Sequence, residues 1–294
     1  MPAITFYRHG VTAHMPNRGN PDPPKRGRVV GWSDSAARRN VNFLRSVDEE
    51  HLTGEGFAAT LTVKDCPPSP QAWSGATRAW FERLRRLDMI RMHWVTEFQR
   101  RGVPHLHAAL WFAQGTSERV GGRQHAVTAV EAFAFLLRLH WVEVAAIWSP
   151  SMKAQHVVPF SDVVGWFQYQ AKHCSRSKRH YQRQRESLPA AWSTSGRVWG
   201  HRGEWVLQDP ATAEVDRRTW FRFRRLVRQS RIAEARASLP LNRRQVSHLR
   251  RALKCPDRRQ SEVRGVSEWM SEDRQAALLA AAQAGGGAVP PGAV

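Results

Sequence analysis

Two histidines one residue apart, His105 and His107, are the first candidates for chemistry in this chain of 294 residues. On a β-strand, residues two apart project from the same face, so the two imidazoles would point together. A pair of imidazoles in this arrangement can bind a divalent metal ion. With 13 histidines in the chain, about half a His-x-His match is expected by chance. The pair alone is therefore equally compatible with a strand that carries two ordinary histidines.

Glu97, which lies eight residues before His105, supplies a carboxylate that could complete a metal site. Residues 89–99 and 105–112 have the pattern of two strands around the turn Arg101-Gly102-Val103. Glu97 shares a face with the histidines only if the hairpin loop has an odd number of residues. A three-residue loop with its glycine in the left-handed region meets that condition. This register predicts a Glu/His/His set with open coordination positions.

Tyr169 and Lys172 form a second unusual pair, because the chain has only three tyrosines and six lysines. Positions three apart are neighbours on a helix, so the Lys172 ammonium would lie near the Tyr169 phenol. A nearby cation favours the phenolate, which is a nucleophile, and can also hold a phosphate. The apolar stripe of the same helix is formed by other residues, Val163, Val164, Phe167 and Ala171. Because Tyr169 points away from this stripe, a reactive tyrosine is favoured over a core tyrosine.

Strands and helices alternate in a mixed order around these residues. The predicted elements are a strand at 57–63, a helix that begins at Ser69-Pro70, the hairpin, a helix opened by a Thr128/Glu131 capping box, a strand at 155–160 and a helix capped by Ser161. A hairpin within such an order predicts an α+β fold, with a central antiparallel sheet flanked by helices and a basic helical C-terminal extension.

Composition divides the chain into four predicted segments. They are an N-terminal basic segment (1–54), an α+β domain (55–206), a basic helical extension (207–275) and a disordered tail rich in Ala, Gly and Pro (276–294).

The chain is strongly basic, with 45 Lys plus Arg against 25 Asp plus Glu and a net charge of +20. A polyanion is the expected partner, and nucleic acid is the commonest one. Seven arginines among aromatic residues at 217–231 predict a surface on which bases stack and phosphates pair. The candidate DNA contacts are Arg217, Arg218, Trp220, Arg222, Arg224, Arg225 and Arg228.

Three scattered cysteines exclude a disulfide framework and a cysteine-rich zinc site, so we expect a reducing, cytoplasmic location. We expect no membrane segment, because charged residues interrupt the most apolar stretch, at 127–148. No apolar run follows the first basic residue, so no secretory signal is expected either.

Residues 96–107, TEFQRRGVPHLH, resemble the metal-binding motif of HUH endonucleases. More narrowly, they resemble that motif in the rolling-circle replication initiators (Rep proteins) of filamentous phages and small plasmids. Residues 169–172 resemble the catalytic tyrosine helix of this family, and Thr60-Leu61-Thr62 resembles its first motif. Residues 180–182 and 196–200 resemble a tract that often follows. The resemblance covers roughly residues 33–205 and identifies 55–206 as an HUH endonuclease domain.

The resemblance implies that Tyr169 attacks DNA with help from a metal ion. Glu97, His105 and His107 would hold Mg²⁺ or Mn²⁺ against the scissile phosphate, and Lys172 would stabilise the developing charge. The products would be a 5′-phosphotyrosine and a free 3′-OH that primes rolling-circle replication. The implied partners are single-stranded origin DNA, a host polymerase and a host helicase, because the sequence carries no Gly-x-x-x-x-Gly-Lys motif.

One position departs from the family pattern. Many relatives have a second tyrosine directly after the lysine, where this chain has His173. A single nucleophile is therefore favoured, and termination would need water, a second subunit or Tyr181.

Two alternatives to a replication initiator stay open. A conjugative relaxase or a single-tyrosine transposase uses the same metal pair, and a basic DNA-binding protein without catalysis would carry the histidine pair by coincidence.

Overall fold

The computed structural model describes residues 1–15, 31–121, 128–171, 192, 194–237 and 265–285. The described residues form two antiparallel sheets and seven α-helices, which confirms the predicted α+β class. Contacts divide the chain into a larger unit, residues 25–44 and 48–206, and a smaller unit, residues 1–24, 45–47 and 207–294.

The bounds of the elements are as follows. The strands are β1 (Ala3–Tyr7), β2 (Gly10–His14), β3 (Glu55–Thr62), β4 (Met89–Phe98), β5 (Pro104–Phe112), β6 (His156–Pro159), β7 (Trp199–Gly203), β8 (Ala211–Glu214) and β9 (Val266–Trp269). The α-helices are α1 (Asp34–Ser46), α2 (Pro70–Arg85), α3 (Thr116–Gly121), α4 (Ala129–Val144), α5 (Val163–Gln170), α6 (Arg217–Ala237) and α7 (Glu272–Ala284).

The larger unit is built on a five-stranded sheet with the order β6-β3-β5-β4-β7. One face of this sheet packs against α2 and α4 through a core that includes Trp80, Leu106 and Trp141. The opposite face carries the alternate residues of β4, among them Val95, which packs with Trp32 and residues of α1. The two histidines of β5 lie on this second face, because they alternate with the core residue Leu106.

Local capping explains where the helices of the larger unit begin. Ser69 accepts a hydrogen bond from the Ala72 amide and precedes Pro70, as predicted for the start of α2. The predicted capping box of Thr128 and Glu131 opens α4. The expectation that Ser161 caps α5 is wrong. The Asp162 side chain is the cap, because its carboxylate accepts the Gly165 amide at 2.8 Å.

The smaller unit holds a four-stranded sheet, β8-β1-β2-β9, which the sequence did not predict. Strand β1 pairs with β8, and β2 pairs with β9, so both ends of the chain contribute to one sheet. Residues 1–54 are therefore not one N-terminal segment, and residues 207–275 are not purely helical. Helices α6 and α7 share a core with this sheet through Ile4, Phe223 and Leu278.

Helix α7 also replaces the first part of the predicted disordered tail. Ser271 caps its start, and Gly285 ends it in the left-handed region at φ 76°. The Ala-rich sequence has high helix propensity, and Leu278 and Ala282 are buried. Residues 276–284 are thus helical, and residues 286–294 lie outside the described ranges. Among the described residues, no helix is both long and apolar enough to cross a lipid bilayer.

Candidate active site

The β4–β5 hairpin has the register that the sequence predicts. Glu97 lies directly opposite His105 in the ladder. The Gln99 amide donates to the Val103 carbonyl at 2.9 Å, which leaves a loop of three residues, 100–102. Gly102 occupies the left-handed region at φ 77°, as this loop type requires. The hairpin therefore brings the carboxylate and both imidazoles to one face of the sheet.

The three side chains meet at the loop end of the hairpin. The rings of His105 and His107 are 4.4 Å apart between centroids. The Nε2 atom of His107 lies 3.6 Å from Oε2 of Glu97. Glu97 and His107 are each 1% exposed, whereas His105 is only half-buried. The set therefore has a buried side formed by Glu97 and His107 and a more open side at His105.

A residue of the neighbouring strand β3 orients the His107 ring. Thr60 lies opposite His107 in the ladder, and its hydroxyl oxygen is 3.0 Å from Nδ1 of the imidazole. A partner on one ring nitrogen fixes the ring, and with Nδ1 as the donor it leaves the Nε2 lone pair for a metal. The resemblance to the family's first motif gave Thr60 no role of its own. The contact indicates that it positions His107.

Gln99 connects the loop to the second histidine. Its Oε1 accepts a hydrogen bond from Arg101 Nε at 2.8 Å, which fixes the orientation of the amide because arginine can only donate. Its Nε2 then donates to the Thr62 hydroxyl at 2.9 Å and lies 3.3 Å from Nδ1 of His105. The half-buried imidazole of His105 is thus held by Gln99, the residue that closes the hairpin loop.

Helix α5 brings Tyr169 to the same place. Tyr169 is 42% exposed, which agrees with the prediction that it points away from the core. Its hydroxyl oxygen lies 3.4 Å from Nε2 of His107, and the two rings meet edge-on at 4.9 Å. Trp166 stacks on the phenol, with centroids 5.2 Å apart and planes 26° apart. The phenol is therefore accessible to substrate while Trp166 and His107 limit its rotation.

A buried polar network anchors the end of α5. His93 is fully buried, and its Nε2 lies 2.7 Å from Oδ1 of Asn40 on α1. Its Nδ1 lies 3.0 Å from the side-chain amide of Gln170, the residue after Tyr169. Burial lowers the pKa of His93 to about 3, so the imidazole is neutral at physiological pH. This network, which the sequence did not reveal, ties strand β4 to the helix of the tyrosine.

The donor types of Glu97, His105 and His107 fit a divalent cation, since imidazole and carboxylate ligands together suit Mn²⁺ and related ions. The contact of Thr60 with His107 is also typical of metal-binding histidines. As the side chains stand, no group of three His, Cys, Asp or Glu residues in the described ranges is arranged to hold a metal ion.

Glu97, His105, His107 and Tyr169 line an open cleft of about 240 Å³. Arg100 and Phe98 line the cleft together with the four residues named by the sequence analysis. Arg100 is exposed and brings a positive charge to the site. Sequence reasoning missed Arg100 and Trp166, although each stands within four residues of a residue it did select. Lys172, His173 and Tyr181 lie outside the described residues.

The predicted DNA contacts on α6 belong to the smaller unit. Arg217, Arg218 and Arg225 are exposed, and Arg222, Arg224 and Arg228 are partly buried. Trp220 requires a correction, because it is fully buried in the core of that unit and cannot stack on bases. The Arg224 guanidinium lies 4.9 Å from the centroid of the Trp220 ring, so the tryptophan has a structural cation–π partner.

Comparison with known proteins finds a matching family model and similar replication proteins. The family model for replication-associated protein ORF2/G2P matches residues 56–182. The chain is 45% identical over 278 residues to a protein of Xylella fastidiosa (strain 9a5c) provisionally named a replication protein, with 92% of each chain covered. It is 39% identical over 284 residues to replication-associated protein G2P of Pseudomonas phage Pf3, with 95% of this chain and 96% of the phage protein covered. No solved structure gives a significant match.

Proposed function

The chain belongs to the replication-associated protein ORF2/G2P family, and we propose that it initiates replication by cutting one DNA strand at an origin with Tyr169. The observation that carries this proposal is the 3.4 Å approach of the exposed Tyr169 hydroxyl to His107. A phenol beside a carboxylate and two imidazoles in one cleft is an arrangement suited to phosphoryl transfer.

Glu97, His105 and His107 are the residues that would hold Mg²⁺ or Mn²⁺, and the chemistry supplied there is polarisation of a phosphate oxygen. Thr60 keeps the His107 ring in one orientation through its contact at Nδ1. The buried position of Glu97 keeps its carboxylate close to His107.

The tyrosine performs the covalent step. Tyr169 gives up its phenolic proton to solvent water, and its oxygen bonds to phosphorus while the bond from phosphorus to the 3′ oxygen breaks. The departing oxygen takes a proton and becomes a 3′-OH, and the 5′ phosphate stays on the tyrosine. Arg100 and Lys172 supply positive charge for the phosphate. Trp166 stacks on the phenol and limits the directions from which it can attack.

The free 3′-OH would prime rolling-circle synthesis by a host polymerase, with a host helicase opening the duplex. Single-stranded origin DNA is the proposed substrate. The names of the relatives favour a replication initiator over a relaxase or a transposase with the same chemistry. A DNA-binding protein without catalysis would leave the arrangement of Tyr169 and His107 without a use.

The polarity of the cut tests this proposal. Single-stranded origin oligonucleotides labelled at either end are incubated with the protein and Mn²⁺, and terminal transferase, which extends a free 3′-OH without a template, is then added with nucleotides. The fragment labelled at its 3′ end should become attached to protein, and the fragment labelled at its 5′ end should be extended. Attachment of the protein to the opposite fragment, or a cut end that cannot be extended, would contradict the proposal.

A further inference from the structure

A second cavity, of about 440 Å³, opens on the face of the larger sheet opposite the active-site cleft. Strand β4 separates the two, because Thr96 lines this cavity and its neighbour Glu97 lines the cleft. Successive residues of a strand project from opposite faces. The cavity lies between α2, β4 and residues 195–202, all within the larger unit. We call it the α2 cavity, and the proposed cutting chemistry makes no use of it.

Positive charge dominates the α2 cavity. Three arginines line it, Arg78, Arg197 and Arg202, and no acidic residue is among its described lining residues. Arg202 makes a long ion pair with Glu82 at 3.6 Å. Arg78 and Arg197 form no hydrogen bond or ion pair with any described residue, and both are exposed. Two exposed guanidinium groups at one cavity favour a phosphate-bearing ligand, because their planar forks match phosphate oxygens.

Aromatic side chains form the apolar part of the same cavity. Trp94 is half-buried and tilts against Phe81, with ring centroids 5.4 Å apart. Gly200 leaves room for the indole, since a Cβ atom there would come within 2.5 Å of Trp94. Trp73 is held by a 3.3 Å hydrogen bond from its Nε1 to the Thr96 hydroxyl. The indole of Trp94 is thus a fixed surface against which a flat ring could stack.

Polar groups capable of reading a base complete the lining. Gln71 and Ser74 are exposed on the first turns of α2, whereas the hydroxyl of Ser195 on the neighbouring segment is already used, accepting from the Gly31 amide and donating to the Gly196 carbonyl. Amide and hydroxyl side chains can both donate and accept hydrogen bonds at base edges. The α2 cavity therefore combines phosphate-binding, stacking and hydrogen-bonding groups in a volume within the range of small-molecule sites.

We propose that the α2 cavity binds one nucleotide of single-stranded DNA, with the base against Trp94 and the backbone phosphates on Arg78 and Arg197. The choice of DNA as the source of the nucleotide rests on the proposed function, whereas the nucleotide chemistry rests on the lining residues. Stacking with phosphate pairing is how single strands are bound without strict sequence readout. The cavity would hold the strand at a second point, away from the bond that is cut.

Binding without cutting tests this proposal separately from the nicking chemistry. The full chain carrying Tyr169→Phe is used in chelator, so no covalent step contributes. Arg78→Ala with Arg197→Ala is compared with Arg86→Ala with Arg119→Ala, a pair of exposed arginines that lose the same charge outside the cavity. Fluorescence anisotropy with a labelled 12-nucleotide strand, repeated over a salt series, gives the affinity and its salt dependence.

We expect the cavity pair to weaken binding about tenfold or more and to make the salt slope shallower by about 1.4, which is about 0.7 for each lost phosphate contact on a single strand. The control pair should change both quantities much less. Equal changes in the two double variants would overturn the proposal, because they would show only the loss of general charge.

Photocross-linking with strands that carry 5-iododeoxyuridine locates the base. Mass spectrometry should find the cross-linked peptide around Trp94 in the parent protein, and the cavity pair of substitutions should reduce its yield. An unlabelled 12-nucleotide strand should compete for this cross-link at lower concentration than a free nucleoside monophosphate. The reverse order would identify a free nucleotide as the ligand and would overturn the assignment to a DNA strand. Cross-links confined to other peptides would overturn the proposal for the α2 cavity. The nicking chemistry is tested separately, because the unmodified protein would still form its covalent adduct with DNA in that case.

Discussion

The hydroxyl oxygen of Tyr169, on helix α5, lies 3.4 Å from Nε2 of His107, on strand β5. The two residues are 62 positions apart in the chain, and different elements bring them together. The contact places the proposed nucleophile against the imidazole nitrogen that faces Glu97. Changes at either residue, or at groups that orient them, should therefore affect the same chemical step.

Thr60 offers a test of how His107 is oriented. Thr60→Val keeps the shape of the side chain but removes the hydroxyl that contacts Nδ1 of His107. Loss of such an orienting partner typically weakens metal affinity by about 10–100-fold. We expect the Mn²⁺ concentration for half-maximal nicking to rise by that factor, with activity recovered at high Mn²⁺.

Thr212→Val is the matched control, because the exposed hydroxyl of Thr212 lies 3.1 Å from the hydroxyl of Thr5 in the smaller unit, outside the active-site cleft. Its Mn²⁺ dependence should equal that of the unmodified protein. An unchanged Mn²⁺ midpoint in Thr60→Val would show that the threonine does not position the imidazole.

Gly102 tests the hairpin loop. Its φ of 77° is costly for any residue with a Cβ atom, so Gly102→Ala should destabilise the larger unit by about 1–2 kcal/mol. Gly75 lies inside helix α2, where an added Cβ atom would meet nothing within 4 Å, so Gly75→Ala should stabilise by about 0.5–1 kcal/mol. Urea unfolding followed by fluorescence measures both changes. A loss of stability that is equal in the two variants would contradict the assigned loop conformation.

His93 predicts an acid sensitivity of the fold. Its pKa is lowered to about 3 in the folded chain, below the ordinary value near 6.5, because the imidazole is fully buried. The unfolded chain binds more protons between these values, so the free energy of unfolding should be fully retained above about pH 6.5 and should fall as the pH drops toward 3.

His93→Gln removes the titrating group and should flatten the pH dependence of the unfolding free energy. His156→Gln, a change at an exposed histidine of β6, serves as the control and should leave the slope as it was. The measurement is a series of urea unfolding curves between pH 4 and 8. An identical slope in His93→Gln and in the unmodified protein would show that His93 does not cause the acid sensitivity.

The hairpin and its candidate site could be predicted because their signals are local. Glu97 and His105 are eight residues apart, and the parity of the loop around Gly102 decides whether they share a face. The exposure of Tyr169 also followed from the apolar stripe of its own helix. In each case, the side-chain spacing within one helix or one hairpin was enough to predict which face a residue occupies.

The smaller unit could not be predicted in the same way. Its sheet pairs Ile4 with Ala213, and Ala13 with Val266, across most of the chain length. Composition and periodicity do not report which distant strands pair. The buried network of His93, Asn40 and Gln170 was missed for the same reason, since it joins three separate elements.

Trp220 shows a different kind of error. Trp220, Phe223 and Val227 are spaced three and four residues apart, which is the pattern of a buried helix face. The dense arginines around them favoured a DNA surface in the sequence interpretation. The structure instead places all three in the core, so these aromatic rings are not available to bases although arginines such as Arg224 pack against them.

A covalent adduct between protein and DNA is the immediate product of the proposed attack by Tyr169. The purified protein is mixed with Mn²⁺ and labelled single strands from the region beside its own gene, and the products are separated on a denaturing gel. We expect a DNA-linked protein band that is lost with chelator and with Tyr169→Phe but retained with Tyr7→Phe, a matched change in the smaller unit. An adduct that survives in Tyr169→Phe, or no adduct on any strand despite tight, salt-sensitive binding, would contradict the proposed attack.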